Sequence, residues 1–244
     1  MSEISTLAIA PDVVVLKIDR VEKRNALSRA MLNSLMTEFR AAEHSGVRAL
    51  IFWGNGQCFS AGADFHDLCG DASDMEYDNL MRQLVLAIQQ STMTCIAAID
   101  GPCMGAGLDL ALACDVRVAS LHAKFALPAV KMGILYNPER AVEIMGLLGN
   151  LTERLLLLGE TVSIEETVGT RLVTHKEYVK NSAFDMAVAL AKASAELPEE
   201  AQIITKKFIR ESDKHPNTYW MQLREKLLVS EERRQIIQRK KGVM

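Results

Sequence analysis

The alternation of apolar and polar positions changes character near Pro138. Before it, four short apolar runs rich in β-branched residues stand out, at 13–18, 49–53, 96–99 and 116–119. Each has the length of a strand. Between them lie stretches with helical spacing: 28–44, opening on Ser28 as an N-cap, then 75–90, and a short one over about 107–113. Strands alternating with helices predict an α/β core with some parallel pairing. After Pro138 helical spacing dominates, with one further strand expected near Leu172 and Val173. The final stretch reads as almost all helix, at 190–195, 199–212 and 218–240, interrupted by turn signals at Pro198 and His215-Pro216. The expected organisation is a core over 1–190 and a helical region over 191–244, long enough to cover a core or another subunit.

Composition narrows the classes of function. A chain of 244 residues, 49% apolar and 24% charged, can bury one large core without disulfide support. Twenty-eight basic against thirty-one acidic residues, a net charge of -3, leave no positive excess to neutralise a phosphate backbone, so nucleic-acid binding is not expected. The five cysteines are odd in number and form no Cys-x-x-Cys pair, and the five histidines are scattered, so neither a disulfide framework nor a metal site is expected. No segment approaches the ~18 uninterrupted apolar residues of a membrane span. The N-terminal apolar stretch lacks the basic region of a signal peptide. A reducing cytoplasm is the expected setting.

Candidate chemistry lies in two glycine-bearing bends that follow apolar strands. The first is Gly54-Asn55-Gly56-Gln57-Cys58-Phe59-Ser60-Ala61-Gly62-Ala63-Asp64; the second is Asp100-Gly101-Pro102-Cys103-Met104-Gly105-Ala106-Gly107-Leu108-Asp109. Glycine permits positive φ and close approach of backbone to a ligand, and free N–H groups after such bends can bind developing negative charge. Either bend alone needs no explanation beyond a turn. Two such donors converging on one point make an oxyanion hole.

These residues, with others in the same order along the chain, resemble the enoyl-CoA hydratase/isomerase (crotonase) superfamily. Glu22-Lys23-Arg24-Asn25-Ala26-Leu27 is similar to the family's stretch beside the coenzyme A adenine. Phe59 to Asp64 resembles its first oxyanion turn, and Gly105-Ala106-Gly107 with Asp109 to Arg117 its second. Lys124-Phe125 with Pro128, Gly133 and Ile134 matches the next loop, and Ser163-Ile164-Glu165-Glu166 with Leu172-Val173 a later helix and strand. Ala106 and Arg171 stand where the family commonly has glycine. The resemblance implies an α/β spiral of strand-strand-helix turns with a helical C-terminal trimerisation region, giving a homotrimer or a dimer of trimers. It implies an acyl-CoA substrate and no further cofactor.

Carried over by position, the resemblance puts the oxyanion donors at the main-chain N–H groups of Ala63 and Ala106. Losing one such donor typically costs ~10²–10³ in rate. The coenzyme A and acyl parts of the substrate are expected against Lys23, Arg24 and Ala26, against Ala61, Asp64, Phe65 and His66 at the first bend, and against Met104 and Gly105 at the second. Pro128, Ala129 and Met132 complete the set from the next loop. Family hydratases use two glutamates to handle water; here the first position holds Asp109 and the second Ala129. A single, shortened acid favours isomerisation, which shuttles one proton, over hydration. Desolvation in an acyl pocket is expected to outweigh the helix dipole at Asp109 and make it a base.

Two alternatives stand beside that reading. The loop from Pro128 to Asn137 is similar to that of the superfamily's methylmalonyl-CoA decarboxylases, which makes Tyr136 a candidate hydrogen-bond donor in the decarboxylation of a malonyl-type thioester. The other alternative is a crotonase fold that holds acyl-CoA without turning it over, as the vacancy at Ala129 allows. Ser60 has no Gly-x-Ser-x-Gly setting, so a hydrolase triad is not expected.

Overall fold

A computed structural model describes residues 3–178 and 182–242. The strands are β1 (Ile4–Ala10), β2 (Val13–Ile18), β3 (Ala49–Gly54), β4 (Thr94–Ile99), β5 (Pro102–Met104), β6 (Val116–Ser120), β7 (Lys124–Ala126), β8 (Thr161–Ser163) and β9 (His175–Glu177). The helices are α1 (Arg29–His44), α2 (Met75–Gln90), α3 (Ala106–Ala113), α4 (Pro138–Leu148), α5 (Ala183–Ala195), α6 (Glu199–Glu211), α7 (Asn217–Leu228) and α8 (Glu231–Gly242). The chain divides into two compact units, 1–194 and 195–244. A mixed α/β architecture is therefore the fold class, as the sequence predicts.

In the larger unit a six-stranded sheet runs β1-β2-β3-β4-β6-β9, with β1 antiparallel to β2 and every later pairing parallel. A smaller sheet, β5-β7-β8, stands apart from it. The four predicted runs are the central strands, buried on both faces, which is why they read as unbroken apolar stretches. Helix α1 begins where the cap predicts: Ser28 accepts a hydrogen bond from the Met31 N–H at 3.2 Å. Its Met31, Leu35 and Phe39 face the sheet, and Phe39 stacks on Phe52 at 6.2 Å between ring centroids. Removing such a ring costs about 3–5 kcal/mol.

Three features depart from the sequence reading. Strand β1 went unpredicted because its apolar stretch was weighed only as a leader segment, and as an edge strand it has mostly exposed or half-buried positions. The expected strand at Leu172 and Val173 is instead irregular backbone. The guanidinium of Arg117 takes the carbonyls of Arg171 and Leu172 at 3.2 and 2.8 Å, and pairing with β6 begins only at the polar triplet His175-Lys176-Glu177. The single helix expected over 218–240 is two, α7 and α8, because the Ser230 hydroxyl receives the Arg233 N–H at 3.3 Å and caps a new start.

The smaller unit comprises α6, α7 and α8. Its Phe208, Tyr219 and Trp220 pack edge to face, Trp220 lying 5.1 and 4.8 Å from the other two rings. Among the described residues no helix is long and apolar enough to cross a membrane.

Candidate active site

The first bend is stitched down on both sides. Phe59 and Ser60 donate N–H groups to the Pro102 carbonyl at 3.0 and 3.2 Å, and Met104 donates back to Ser60 at 2.9 Å. On the other flank Ala61 donates to Arg24 at 2.9 Å, Leu27 to Gly62 at 2.7 Å and Asp64 to Leu27 at 2.9 Å. Gly62 is obligatory there: its φ is +100°, and a Cβ would stand 2.9 Å from the Met104 carbonyl oxygen. Asp64 secures the exit of the bend, accepting the His66 N–H at 3.0 Å and Arg20 Nη1 at 2.6 Å. Burial opposes ionisation of Asp64, but those donors outweigh it and hold its carboxyl below the usual range.

The second bend starts helix α3. Gly105, at φ +50°, donates to Ala126 at 2.9 Å and accepts the Asp109 N–H at 3.0 Å. Gly107 seats this helix on the first bend, since a Cβ there would meet Ser60 Cβ at 2.5 Å. The bends touch: a Cβ on Gly62 would lie 3.6 Å from the Ala106 nitrogen. Ala106 opens α3, where N–H groups have no intrahelical acceptor. Among the described residues neither the Ala63 nor the Ala106 N–H donates to another protein atom, and both residues are half-buried. Two free amides thus sit on adjoining bends.

Beside them an open groove of about 450 Å³ is lined by Val21, Arg24, Asn55, Cys58, Ala61 and Met104, among others. Of the residues expected to meet substrate, Arg24, Ala61 and Met104 line this groove. Ala26 is buried behind it, and Lys23 is exposed on the turn before it. Phe65 and His66 are exposed in a short turn after Asp64. Pro128, Ala129 and Met132 share the 3₁₀ turn 128–132, where Met132 is exposed and the other two are half-buried.

Asn25 is the residue that sequence reading passed over here. Fully buried at φ +56°, it accepts the Arg20 N–H at 2.9 Å and donates to the carbonyls of Asn55 and Cys58 at 2.9 and 2.7 Å. It ties the Arg24 loop to the first bend. The signal was its place in the Lys23-Arg24-Asn25-Ala26 stretch, read there as a ligand contact and not for what Asn25 itself holds.

Asp109 lies in the first turn of α3, buried, and is not a free carboxylate. Arg140, buried on α4, forms an ion pair with its Oδ1 and reaches its main-chain oxygen with Nη2 at 3.2 Å. Arg140 Nη1 also binds Glu143 at 2.9 Å, and Glu143 takes two nitrogens of Arg82 on α2 at 3.0 and 2.6 Å and Gln89 at 3.3 Å. Burial resists the Glu143 charge, but these donors prevail and bring its pKa down to about 2. The desolvated Asp109 expected from sequence therefore has a counter-ion that no local pattern announces. Asp78 on α2 feels the same site: burial, then the charges of Asp109 and Asp74, raise its pKa.

Tyr136 ends the loop before α4. Its hydroxyl is buried and has no hydrogen-bond partner. Burial, and after it the charge of Asp109, push its ionisation well above the ordinary phenol value, so it stays a neutral donor. The following Asn137 caps α4, accepting the Arg140 N–H at 3.1 Å.

Two unpartnered main-chain amides on touching glycine bends thus stand beside a groove in a mixed α/β fold. The family model for enoyl-CoA hydratase/isomerase matches residues 9–244, and the chain belongs to that family. It is 35% identical over 220 residues to a probable enoyl-CoA hydratase of Bacillus subtilis, covering 87% of this chain and 78% of that one. It is 36% identical over 149 residues to the probable enoyl-CoA hydratase echA6 of Mycobacterium bovis, a stretch that is 61% of this chain and 60% of that relative's length. Among solved structures it is similar to an enoyl-CoA hydratase/carnithine racemase from Magnetospirillum magneticum, with TM-score 0.89 at 25% identity over 99% of this chain and 93% of the other.

Proposed function

We propose that the protein binds an acyl-CoA and stabilises its thioester enolate, with the Ala63 and Ala106 amides as the oxyanion hole and Asp109 as the base of an isomerase-type proton shuttle. The observation that carries this reading is the pair of unpartnered amides on touching bends. Asp109 takes the α-proton as the C–H electrons move onto the thioester oxygen, and returns the same proton to the γ-carbon. No water is added and the carboxylate is regenerated. Hydration asks for a second carboxylate to activate water, and that position holds Ala129. The groove by Arg24 and Met104 would receive the coenzyme A part. No cofactor beyond the thioester is needed. The proposal extends to self-association through the helical C-terminal region, as a trimer or a dimer of trimers, and to a cytoplasmic setting.

A second reading has its own support. The buried, unpartnered Tyr136 hydroxyl would suit a donor to the carboxylate of a malonyl-type thioester, and decarboxylation needs no second acid. Binding without turnover draws on Asp109 being engaged by Arg140.

Incubation with a 3-enoyl-CoA, crotonyl-CoA and methylmalonyl-CoA separates the three. Ultraviolet absorbance follows double-bond movement and hydration, and carbon dioxide release follows decarboxylation. The expected result is 3-enoyl-CoA isomerisation that Asp109→Asn abolishes and Tyr136→Phe does not. The reverse mutational pattern with carbon dioxide release selects decarboxylation. Tight binding of all three with no product selects a binding protein.

A further inference from the structure

Asp109 is the carboxylate that α3 carries one turn beyond the Ala106 amide, and what holds it comes from two other helices. Arg140 engages it with side chain and main chain at once: Nε on Oδ1, Nη2 on the Asp109 carbonyl at 3.2 Å. That grip fixes both the carboxylate rotamer and the helix turn bearing it. The remaining arm of Arg140, Nη1, is taken by Glu143, which Arg82 clasps from α2 with two nitrogens. The guanidinium therefore has no slack. Arg140 Nε takes Oδ1 and leaves Oδ2 outside its grip, and the buried Tyr136 hydroxyl lies close enough for the Asp109 charge to oppose its ionisation.

A buried network with loose ends is less stable than an apolar filling of the same space, because each unmet polar group costs about 1–3 kcal/mol. Every bond by which Arg140 holds Asp109 and Glu143 is made, and the buried polar atoms left unmet, the Tyr136 hydroxyl and Arg82 Nε, lie at the two ends of the network. Such a distribution is what a positioning device requires. We propose that Arg140 is the positioning residue of this site, clamping Asp109 so that only Oδ2 is left to carry the proton. The inference rests on the isomerase reading above, in which Asp109 is the base.

The test is steady-state kinetics of 3-enoyl-CoA isomerisation with wild type, R140A and R140K, each scaled to the fraction competent to bind coenzyme A. Misplacing a reacting group by about 1 Å can cost ~10²-fold. The expected result for R140A is a kcat loss of about 100-fold with KM changed less than about threefold, and recovery of about tenfold on adding millimolar guanidine. R140K keeps a cation but cannot reach three acceptors, and should lose about tenfold in kcat. If R140A does not fold, R140K decides alone, with unchanged melting temperature required. A wild-type enzyme that turns over while the variants keep its kcat, or lose it only with the folded fraction and without guanidine recovery, overturns this inference and leaves the isomerase reading standing. A wild-type protein inert towards every thioester overturns both.

Discussion

The two halves of the site are built on opposite principles. Around Ala63 and Ala106 the atoms proposed to function are main-chain amides, on bends held by backbone hydrogen bonds with Arg24, Leu27, Pro102 and Ala126, and side-chain identity matters chiefly where it must be absent, at Gly62, Gly105 and Gly107. Around Asp109 the atoms proposed to function are side-chain oxygens, held by the Arg140 guanidinium of α4, which Arg82 of α2 secures through Glu143. A backbone site tolerates alanine for glycine at position 106, because the donor is unchanged. A side-chain site tolerates little, because each charge needs its counter-charge in a buried place. The first half is thus robust to drift in residue type and fragile to added volume; the second is fragile to any change of charge.

That contrast is open to attack by mutation, and the largest effect is expected from volume. In Gly62→Val the new side chain would enter 2.9 Å from Met104 oxygen at φ +100°, where non-glycine backbone costs about 1–3 kcal/mol. Isomerisation should fall at least ~10³-fold through displacement of both amides, and calorimetry should register a lower melting temperature. Asp109→Asn comes next. It should cost about 10²–10⁴ in kcat as a lost base, and about 1–3 kcal/mol of stability, read from urea unfolding, because Arg140 keeps Glu143 but loses one charged partner. Loss of stability without loss of rate would show the network to be structural only.

The same contrast explains what could be read from the chain before its structure. The central strands, α1 with its Ser28 cap, and both glycine bends are encoded by neighbours in sequence: apolar runs, a cap spacing, glycines where Cβ atoms cannot fit. Each signal is local, so each survives in one dimension. The Asp109–Arg140–Glu143–Arg82 chain joins residues on three helices, 31 and 61 positions apart for two of its links, and isolated charges at helical spacing read as solvated surface. Likewise β1 and β9 are named by pairing partners rather than by their own residues. Asn25 falls between: its place was visible, its burial was not.

Smaller effects sharpen the division further. Tyr136→Phe removes an unpartnered hydroxyl, so stability should hold or rise slightly and isomerisation should change less than about tenfold; a loss of ~10²-fold or more would move the phenol into the chemistry. The mildest expected effect is on acid stability. Glu143 is depressed from its ordinary 4.5 to about 2, so its contribution is present above pH 4.5 and lost as pH falls towards 2. Glu143 is a third exposed, so screening keeps this contribution modest. Glu143→Gln should flatten the urea midpoint between pH 5 and 2.5 relative to wild type, and an unchanged slope would count against the bridge.

The most direct measurement is a crystal structure with a non-reactive acyl-CoA analogue bound. The account predicts the thioester oxygen within about 2.7–3.1 Å of the main-chain nitrogens of both Ala63 and Ala106. A bound analogue whose carbonyl lies away from both amides, with water bridging them instead, would contradict it.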